Sequence, residues 1–313
     1  MRLKRFSHSL LFLLCVLSLT LTSCDRKLVY AENPSPIPVR DPPTGIRVAL
    51  VLGGGGARGV SHVGVIEEFE KANIPIDVII GCSIGSIVGA LYADQPNCER
   101  LKEILQPLKK WDVLDLGLIH CRYGLVLGGA MDRFLTKHMN AEYFEELKIP
   151  FYAVSTDLIS GECVALHCGP IIPAVRASAS VPFIFKPVVL HERILVDGGV
   201  IDPIPVATAK KTNPEIIVAV DLSTLLPKTC PSHLFGIAAR SAEIKLLAQS
   251  ESCVNGADVI IRPELGDLGM FDDSQYELAY KAGKKAAQEA IPQILELLSQ
   301  KGLLTHATQN HHH

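Results

Sequence analysis

The chain has 313 residues and a nearly balanced charge, with 30 Lys and Arg against 33 Asp and Glu and a formal net charge of −3. The basic residues are scattered along the sequence and form no cluster, so we expect no nucleic-acid partner. Hydrophobic residues make up 48% of the chain, which excludes an intrinsically disordered protein and predicts a sizeable core.

The amino-terminal residues 1–23 have the pattern of a secretory signal peptide, with basic residues ahead of the apolar stretch Leu10–Leu21. This stretch is well short of the roughly 20 residues that a membrane-spanning helix needs. It ends in Leu-Thr-Ser-Cys, which resembles a bacterial lipobox, in which Cys24 is acylated and becomes the mature amino terminus. We therefore predict an exported, membrane-anchored lipoprotein of the bacterial cell envelope. The alternative is an ordinary signal peptide in which Cys24 is incidental.

The next segment, residues 24–45, contains five prolines and few large apolar side chains. Such a composition predicts an extended tether without a core of its own. From Ile46 onward the chain is apolar and well mixed, and no later linker interrupts it. We predict one domain over residues 46–303 and a disordered tail over residues 304–313.

Short runs rich in Val and Ile alternate with helix-like segments through this domain. Between the first two runs, Val63, Ile66 and Phe69 recur at helical spacing. Alternation of this kind predicts an α/β fold with a largely parallel sheet, in which ligands gather at the carboxyl ends of the strands. The predicted strands are Arg47–Leu52, Asp77–Ile80, Phe151–Ser155, Arg193–Val196, Ile216–Asp221 and Asp258–Ile261.

A serine lies on a glycine-flanked turn, Gly81-Cys82-Ser83-Ile84-Gly85, between the second predicted strand and a helix-like segment. This is the sequence pattern of a nucleophile elbow. A serine hydroxyl is a poor nucleophile at neutral pH, so it needs a base and donors for the oxyanion that forms. The alternative interpretation is a tight turn with a capping serine.

A glycine run, Gly53–Gly56, follows the first predicted strand and leads into Ala57-Arg58-Gly59. Consecutive glycines let several backbone N–H groups converge on one anion, which favours an oxyanion hole. Arg58 would hold this loop or a phosphate-bearing substrate. A flexible turn and a dinucleotide site are the alternatives. The dinucleotide site ranks second because it needs an acid at the end of the second strand, whereas Asp77 begins that strand.

These motifs together resemble the patatin-like phospholipases, in their bacterial branch. The resemblance runs from about Ile46 to about Asp221, and the one small departure is Cys82, where the family often has Thr. The motifs that carry it are Gly54–Gly59, Gly81–Gly85, Ser155–Leu158 with Gly161-Glu162, Arg176–Pro182 and Asp197–Gly199, the last with Pro203 and Pro205 just after it.

The resemblance implies a three-layer α/β/α sandwich and a Ser-Asp dyad, with Ser83 as nucleophile and Asp197 as its base. An unperturbed Asp has a pKa of about 3.9 and is a feeble base, so we expect burial to raise the pKa of Asp197. The backbone N–H groups of Gly54, Gly55 and Gly56 would be the oxyanion donors. The supporting residues are Arg58, Gly81, Gly85, Gly198 and Gly199.

The predicted activity is carboxylic ester hydrolysis in a phospholipid, lysophospholipid or other acyl-ester lipid, through an acyl-Ser83 intermediate and without metal or cofactor. We interpret Asp157 and Arg176 as structural. One alternative is a Ser-His-Asp esterase that uses His233 or His306. The other is a non-catalytic lipid-binding protein on the same fold.

Overall fold

The computed structural model describes residues 28–304, apart from residues 118–122, 225, 227–229, 233, 271 and 273. The predicted signal peptide, the predicted lipidation site Cys24 and residues 305–313 of the predicted tail lie outside the described residues.

One mixed sheet forms the centre of the described structure, with the strand order β5-β6-β3-β2-β1-β7-β8 and β4 added beside β3. The pairs β1–β2, β1–β7, β2–β3 and β7–β8 are parallel, whereas β6 runs antiparallel to both β3 and β5. The strands are β1 (Val48–Leu52), β2 (Val78–Cys82), β3 (Phe151–Asp157), β4 (Cys163–Leu166), β5 (Val188–Leu190), β6 (Arg193–Asp197), β7 (Ile216–Val220) and β8 (Val259–Ile261).

Helices cover both faces of this sheet, because the strands are apolar on both sides. Along β1, Val48, Leu50 and Leu52 point into the larger core and Ala49 and Val51 into the smaller one. The helices are α1 (Val60–Lys71), α2 (Ile84–Asp94), α3 (Cys98–Leu105), α4 (Lys110–Val113), α5 (Gly129–His138), α6 (Ile171–Ser178), α7 (Val206–Lys210), α8 (Leu234–Cys253) and α9 (Tyr276–Gln300).

The larger core contains side chains of α1, α2, α3, α5, α6 and α9, and the smaller one contains side chains of α7. This arrangement confirms the predicted α/β fold with a largely parallel central sheet and helices on its faces. No helix in the described part of the chain combines the length and the apolarity needed to cross a bilayer.

Two strands meet end to end along one edge of β3. The last residue of β2, Cys82, pairs with Val154, and the last residue of β6, Asp197, pairs with the next residue of β3, Ser155. Since β4 pairs with both Val154 and Ser155, it occupies the opposite edge, so β2 and β6 share one edge. The antiparallel β6 therefore carries Asp197 to the point where β2 ends and Ser83 begins the turn.

Two glycines allow the turn after β2 to pack tightly. A Cβ atom on Gly85 would lie 2.1 Å from the carbonyl oxygen of Leu52, and one on Gly81 would lie 2.5 Å from the carbonyl oxygen of Gly85. No side chain fits at either position without a shift of the backbone. These contacts place the start of α2 directly against the end of β1, from which the glycine run departs.

Candidate active site

Ser83 occupies the turn between β2 and α2 with φ 55° and ψ −123°. A positive φ is uncommon for a residue other than glycine and indicates a backbone that its surroundings hold in place. The N–H of Ser83 donates to Oγ of Ser178 over 3.1 Å, and that hydroxyl donates to the carbonyl oxygen of Val154 over 2.5 Å. Ser178, at the end of α6, thus joins the turn to β3.

The Ser83 hydroxyl contacts a buried carboxylate. Its Oγ donates to Oδ2 of Asp197 over 2.6 Å, and the N–H of Gly199 donates to Oδ1 over 2.7 Å. Both carboxylate oxygens therefore have a donor. Asp197 is 5% exposed. A carboxylate in this position can accept the hydroxyl proton.

The environment of Asp197 makes its carboxylate a stronger base than an ordinary aspartate. Burial raises its pKa to about 6, against the opposing effects of the Ser83 hydroxyl, the Gly199 N–H and the nearby Lys245 ammonium. At neutral pH the group is still mostly ionised. It therefore combines an available lone pair with a higher proton affinity, which is what a general base requires.

The glycine run lies beside Ser83. A Cβ atom built on Gly54 would lie 3.4 Å from Cβ of Ser83. The carbonyl oxygen of Gly53 lies 2.9 Å from Nε2 of His62, a wholly buried side chain of α1. Burial lowers the pKa of His62 to about 4, so the imidazole is neutral and its Nε2–H donates to Gly53. His62 therefore holds the loop and is not a base for Ser83.

The N–H groups of the run are used unequally, which differs from the prediction. The N–H of Gly54 donates to the carbonyl oxygen of Pro203 over 2.9 Å, so it is already engaged by the protein. Within the described residues, the N–H groups of Gly55 and Gly56 have no acceptor. The sequence could not separate the three glycines, because the partner of Gly54 comes from a distant segment.

Arg58 faces the protein interior. It is 1% exposed, its Nε donates to the carbonyl oxygen of Leu268 over 2.7 Å, and its Nη2 donates to Oε1 of Glu243 over 2.9 Å. The sequence predicts that this side chain holds either the glycine loop or a phosphate-bearing substrate. Its contacts fit the first role, since the guanidinium is bound to protein groups and away from solvent.

The family model described as patatin-like phospholipase matches residues 50–210, just over half of the chain. The chain belongs to the patatin-like phospholipase family. The matched residues include the glycine run, the Ser83 turn and Asp197.

Two curated relatives share about a third of their aligned residues with this patatin-like chain. Patatin-like phospholipase domain-containing protein 6 of Mus musculus is 33% identical over 281 residues, which cover 77% of this chain and 20% of the relative. Lysophospholipase NTE1 of Debaryomyces hansenii is 35% identical over 186 residues, which cover 58% of this chain and 12% of the relative. The chain thus spans a fifth or less of the length of these relatives.

Among solved structures, VipD from Legionella pneumophila has a similar fold. The superposition has a TM-score of 0.56 at 14% identity and covers 88% of this chain and 73% of that chain. At this identity the likeness shows the fold alone.

Contacts within the fold surround three further predicted residues of this patatin-like domain, Gly198, Asp157 and Arg176. A Cβ atom on Gly198 would lie 2.3 Å from the carbonyl oxygen of Val154, so this glycine lets the chain after Asp197 pass close to β3. Oδ2 of Asp157 accepts a hydrogen bond from Nη1 of Arg193 over 2.7 Å. Nη1 of Arg176 lies 3.0 Å from Oδ2 of Asp132, which joins α6 to α5.

Sequence reasoning missed three residues that contact the site. Ser178 lies in the motif Arg176–Pro182, in which the sequence indicates a role only for Arg176, and His62 lies outside the motifs. Lys245 lies on α8, where its ammonium donates to the carbonyl oxygen of Val200 and acts on Asp197 through its charge. No local motif indicates Lys245, because it reaches the site only through the tertiary fold. His233 and His306 lie outside the described residues.

Proposed function

We propose that the chain is a lipid acyl hydrolase that cleaves carboxylic esters of phospholipids or lysophospholipids with a Ser83–Asp197 dyad. The observation that carries this proposal is the 2.6 Å hydrogen bond from the Ser83 hydroxyl to a buried carboxylate of raised pKa. The names of the relatives, a patatin-like phospholipase and a lysophospholipase, support the choice of lipid esters as substrates.

In the first half of the proposed reaction, Oγ of Ser83 attacks the ester carbonyl carbon while Asp197 accepts the hydroxyl proton. The carbonyl π electrons move onto the oxygen and form a tetrahedral oxyanion. When the intermediate collapses, the bond to the alkoxy oxygen breaks and protonated Asp197 gives its proton to that oxygen. The products are the free alcohol and an ester of the fatty acyl group with Ser83.

In the second half, a water molecule takes the place of the alcohol and Asp197 accepts one of its protons as the water oxygen attacks the acyl carbon. Collapse of this second intermediate returns the proton to Oγ of Ser83 and releases the fatty acid. Each half reaction uses the same carboxylate, which is ionised at the start and at the end.

The oxyanion in both halves would be bound by the N–H groups of Gly55 and Gly56, which have no acceptor within the described residues. The amino end of α2 adds a favourable dipole next to Ser83. Gly54 has a different role in this proposal. Its N–H donates to the carbonyl oxygen of Pro203, and its lack of a side chain lets the loop lie close to Ser83.

The dyad is tested by purifying Ser83→Ala and Asp197→Asn and measuring fatty acid release from a lysophospholipid and from a short-chain soluble ester. Each change is expected to lower kcat/KM by about 10³-fold or more, since the nucleophile and its base act as a unit. Asp202→Asn is the matched control, because burial also raises the pKa of Asp202 to about 6 and no hydrogen bond joins it to Ser83. Activity that persists in Ser83→Ala would end the proposal.

The two alternatives have their own tests. Collapse of activity in His233→Ala or His306→Ala would favour a Ser-His-Asp esterase, whereas unchanged turnover in both supports the dyad. A fluorophosphonate probe that labels the wild type and not Ser83→Ala supports a catalytic serine. A folded wild type that neither reacts with the probe nor hydrolyses esters would favour the lipid-binding protein.

We also propose that the chain is an exported lipoprotein of the bacterial cell envelope, acylated at Cys24. The lipobox-like sequence supports this proposal, and a lipid anchor would hold the enzyme at the surface that contains its substrate. Wild-type protein is expected to partition with membranes and to carry a lipid mass at its amino terminus. A Cys24→Ala protein that still partitions through its amino terminus would refute lipid attachment.

A further inference from the structure

Lys245 is a cation beside the proposed site that takes no part in the proposed reaction steps. It is an exposed residue of α8, and its ammonium donates to the carbonyl oxygen of Val200. Val200 belongs to the turn after β6, in which the N–H of Gly199 donates to Asp197. The charges of Lys245 and Asp197 act on each other. A positive charge therefore lies near the carboxylate that accepts the Ser83 hydroxyl.

Helix α8 is tied to the site on both sides of this lysine. On one side, Oε1 of the buried Glu243 accepts Nη2 of Arg58 over 2.9 Å, and Arg58 directly follows the glycine run and Ala57. On the other side, Nε2 of Gln249 lies 3.4 Å from the carbonyl oxygen of Ile201. Because Lys245 lies between these two contacts along the helix, the fold determines where its ammonium lies.

The ammonium of Lys245 has N–H donors available for a ligand. An ammonium group carries three such donors, and the carbonyl oxygen of Val200 accepts one of them. Both oxygens of Asp197 accept from other donors, the Ser83 hydroxyl and the Gly199 N–H. Within the part of the chain that the structure describes, Lys245 forms no direct ion pair with a carboxylate. An incoming anion can therefore accept from this group.

The substrates of the proposed function carry an anion that needs such a donor. Phospholipids and lysophospholipids both contain a phosphate, which only the glycerol backbone separates from the ester. The buried Arg58 guanidinium is bound to Leu268 and Glu243, so it is directed away from any ligand. Lys245 presents the same sign of charge toward solvent.

We infer that Lys245 binds the phosphate group of the substrate while Ser83 attacks the ester of the same molecule. The inference rests on the proposed function and makes Lys245 a residue that favours phosphate-bearing lipids over uncharged acylglycerols. A hydrogen bond from an ammonium to a phosphate oxygen is charge-assisted, and such bonds are about twice as strong as those between neutral groups.

The alternative is a structural role, in which Lys245 only holds the turn at Val200 and acts on Asp197 by its charge. That role would affect every ester alike, because the turn and the base serve the same chemistry whatever the headgroup. A comparison of substrates with and without phosphate therefore distinguishes the two.

The first test uses lysophosphatidic acid and the monoacylglycerol with the same acyl chain, both below their critical micelle concentrations. The pH is kept well above the pKa of Asp197, which is about 6, so that this group is ionised in every variant. Lys245→Gln is expected to lower the ratio of kcat/KM for the phosphate-bearing ester to kcat/KM for the uncharged one by about tenfold or more, mostly through KM. Lys245→Arg keeps the charge and should restore most of the ratio.

Lys210→Gln is the matched control. Lys210 is also exposed, and its ammonium donates to a backbone carbonyl, that of Asn255, over 3.0 Å. It is not among the charges that act on Asp197, so this variant should leave the ratio unchanged. An equal fall in Lys210→Gln and Lys245→Gln would reveal a general effect of net charge and would overturn the inference. Lower activity of Lys245→Gln on both esters at an unchanged ratio would reveal the structural role and would overturn it as well.

A binding measurement separates the inference from the chemistry. A short-chain alkyl ether of glycerol 3-phosphate and the same alkylglycerol without phosphate both lack the ester and resist hydrolysis. In calorimetric titrations the wild type is expected to bind the phosphate ether about tenfold or more tightly than the uncharged ether, and Lys245→Gln should remove this difference. Equal binding of the two ethers to the wild type would contradict the inference. If inorganic phosphate alone binds as tightly as the phosphate ether, the site is one for free phosphate and the inference is wrong.

Failure of the inference and failure of the proposed function give different results. If the wild type hydrolyses neither ester, the proposed function fails, while the titrations still decide whether Lys245 binds phosphate. If the wild type hydrolyses both esters and binds the two ethers equally, the proposed function stands and the inference alone fails.

Discussion

Asp197 is the residue whose environment most directly sets the chemistry of the proposed dyad. A carboxyl group with an ordinary pKa is fully ionised at neutral pH but holds a proton weakly. Burial raises the pKa of Asp197 to about 6, and the hydrogen bonds that it accepts from Ser83 and Gly199 limit the shift. The group is therefore near the compromise between ionisation and basicity that favours proton transfer at neutral pH.

This pKa predicts an acid limb in the pH profile. Asp197 must be deprotonated to act as the base, so kcat/KM for a soluble ester is expected to be constant near neutrality and to fall about tenfold per pH unit well below pH 6. The Lys245 ammonium lowers the pKa of Asp197 by its charge. Lys245→Gln should therefore move the acid limb to higher pH. A limb near pH 4, or one that Lys245→Gln leaves in place, would contradict this role of Asp197.

At the scale of single elements, α6 holds the Ser83 turn through its last residue. The hydroxyl of Ser178 accepts the N–H of Ser83 and donates to β3 at Val154, so it joins three elements through one atom. The positive φ of Ser83 depends on such contacts, because the turn has no side chain of its own that caps α2.

Removal of this contact is expected to impair catalysis more than folding. Ser178→Ala leaves the N–H of Ser83 without its acceptor, which costs about 1–3 kcal/mol of free energy. If this loss displaces the Ser83 hydroxyl, kcat should fall by about 10- to 100-fold. Steady-state kinetics and thermal unfolding of the same protein separate the two effects. Ser180→Ala is the control, since its hydroxyl bonds to the carbonyl oxygen of Arg176. Equal losses of kcat in both variants would contradict a specific role of Ser178.

The sequence predicted most of the elements that surround the site. Strands with continuous apolar runs, such as β1 and β7, begin and end within about one residue of their predicted bounds, because burial on both faces leaves a strong signal. The sequence missed β4 and β5, which are three or four residues long and partly exposed. Their apolar runs are short, and a polar residue or a proline lies directly beside each run, so they give a weaker signal than β1 and β7.

The site itself was predictable only in part from general rules. The rule that ligands gather at the carboxyl ends of parallel strands places the glycine run and Ser83, but β6 is antiparallel and Asp197 enters from the other direction. The resemblance to a family supplied Asp197. Ser178, His62 and Lys245 reach the site by tertiary contacts, for which neither spacing nor composition gives a signal.

At the scale of the whole molecule, the first and last helices pack against each other across the larger core. Gly64 of α1 and Gly283 of α9 let the two backbones approach: a Cβ atom on Gly283 would lie 2.1 Å from the carbonyl oxygen of Ser61. Glu67 of α1 contacts Tyr280 and Lys284 of α9 beside this crossing. Helix α9 thus packs against and supports α1, the helix whose His62 donates to the glycine run.

Separation of these helices is expected to weaken the fold. Gly283→Ala forces a methyl group against backbone atoms that cannot rotate away, so the free energy of unfolding should fall by about 2 kcal/mol, although Ala is the better helix former. Urea unfolding followed by circular dichroism measures the change. A Cβ atom on Gly269 meets no atom within 4 Å, and Gly269→Ala serves as the control. Equal stability of the two variants would contradict the close crossing.

The end-to-end meeting of β2 and β6 on β3 also governs when the chain can become active. The proposed nucleophile and its proposed base are 114 positions apart, and each arrives from its own direction along a third strand. In a partly synthesised or still unfolded polypeptide, the Ser83 hydroxyl therefore has no carboxylate beside it. The proposed dyad forms only when the sheet closes, so folding itself would delay the proposed hydrolysis.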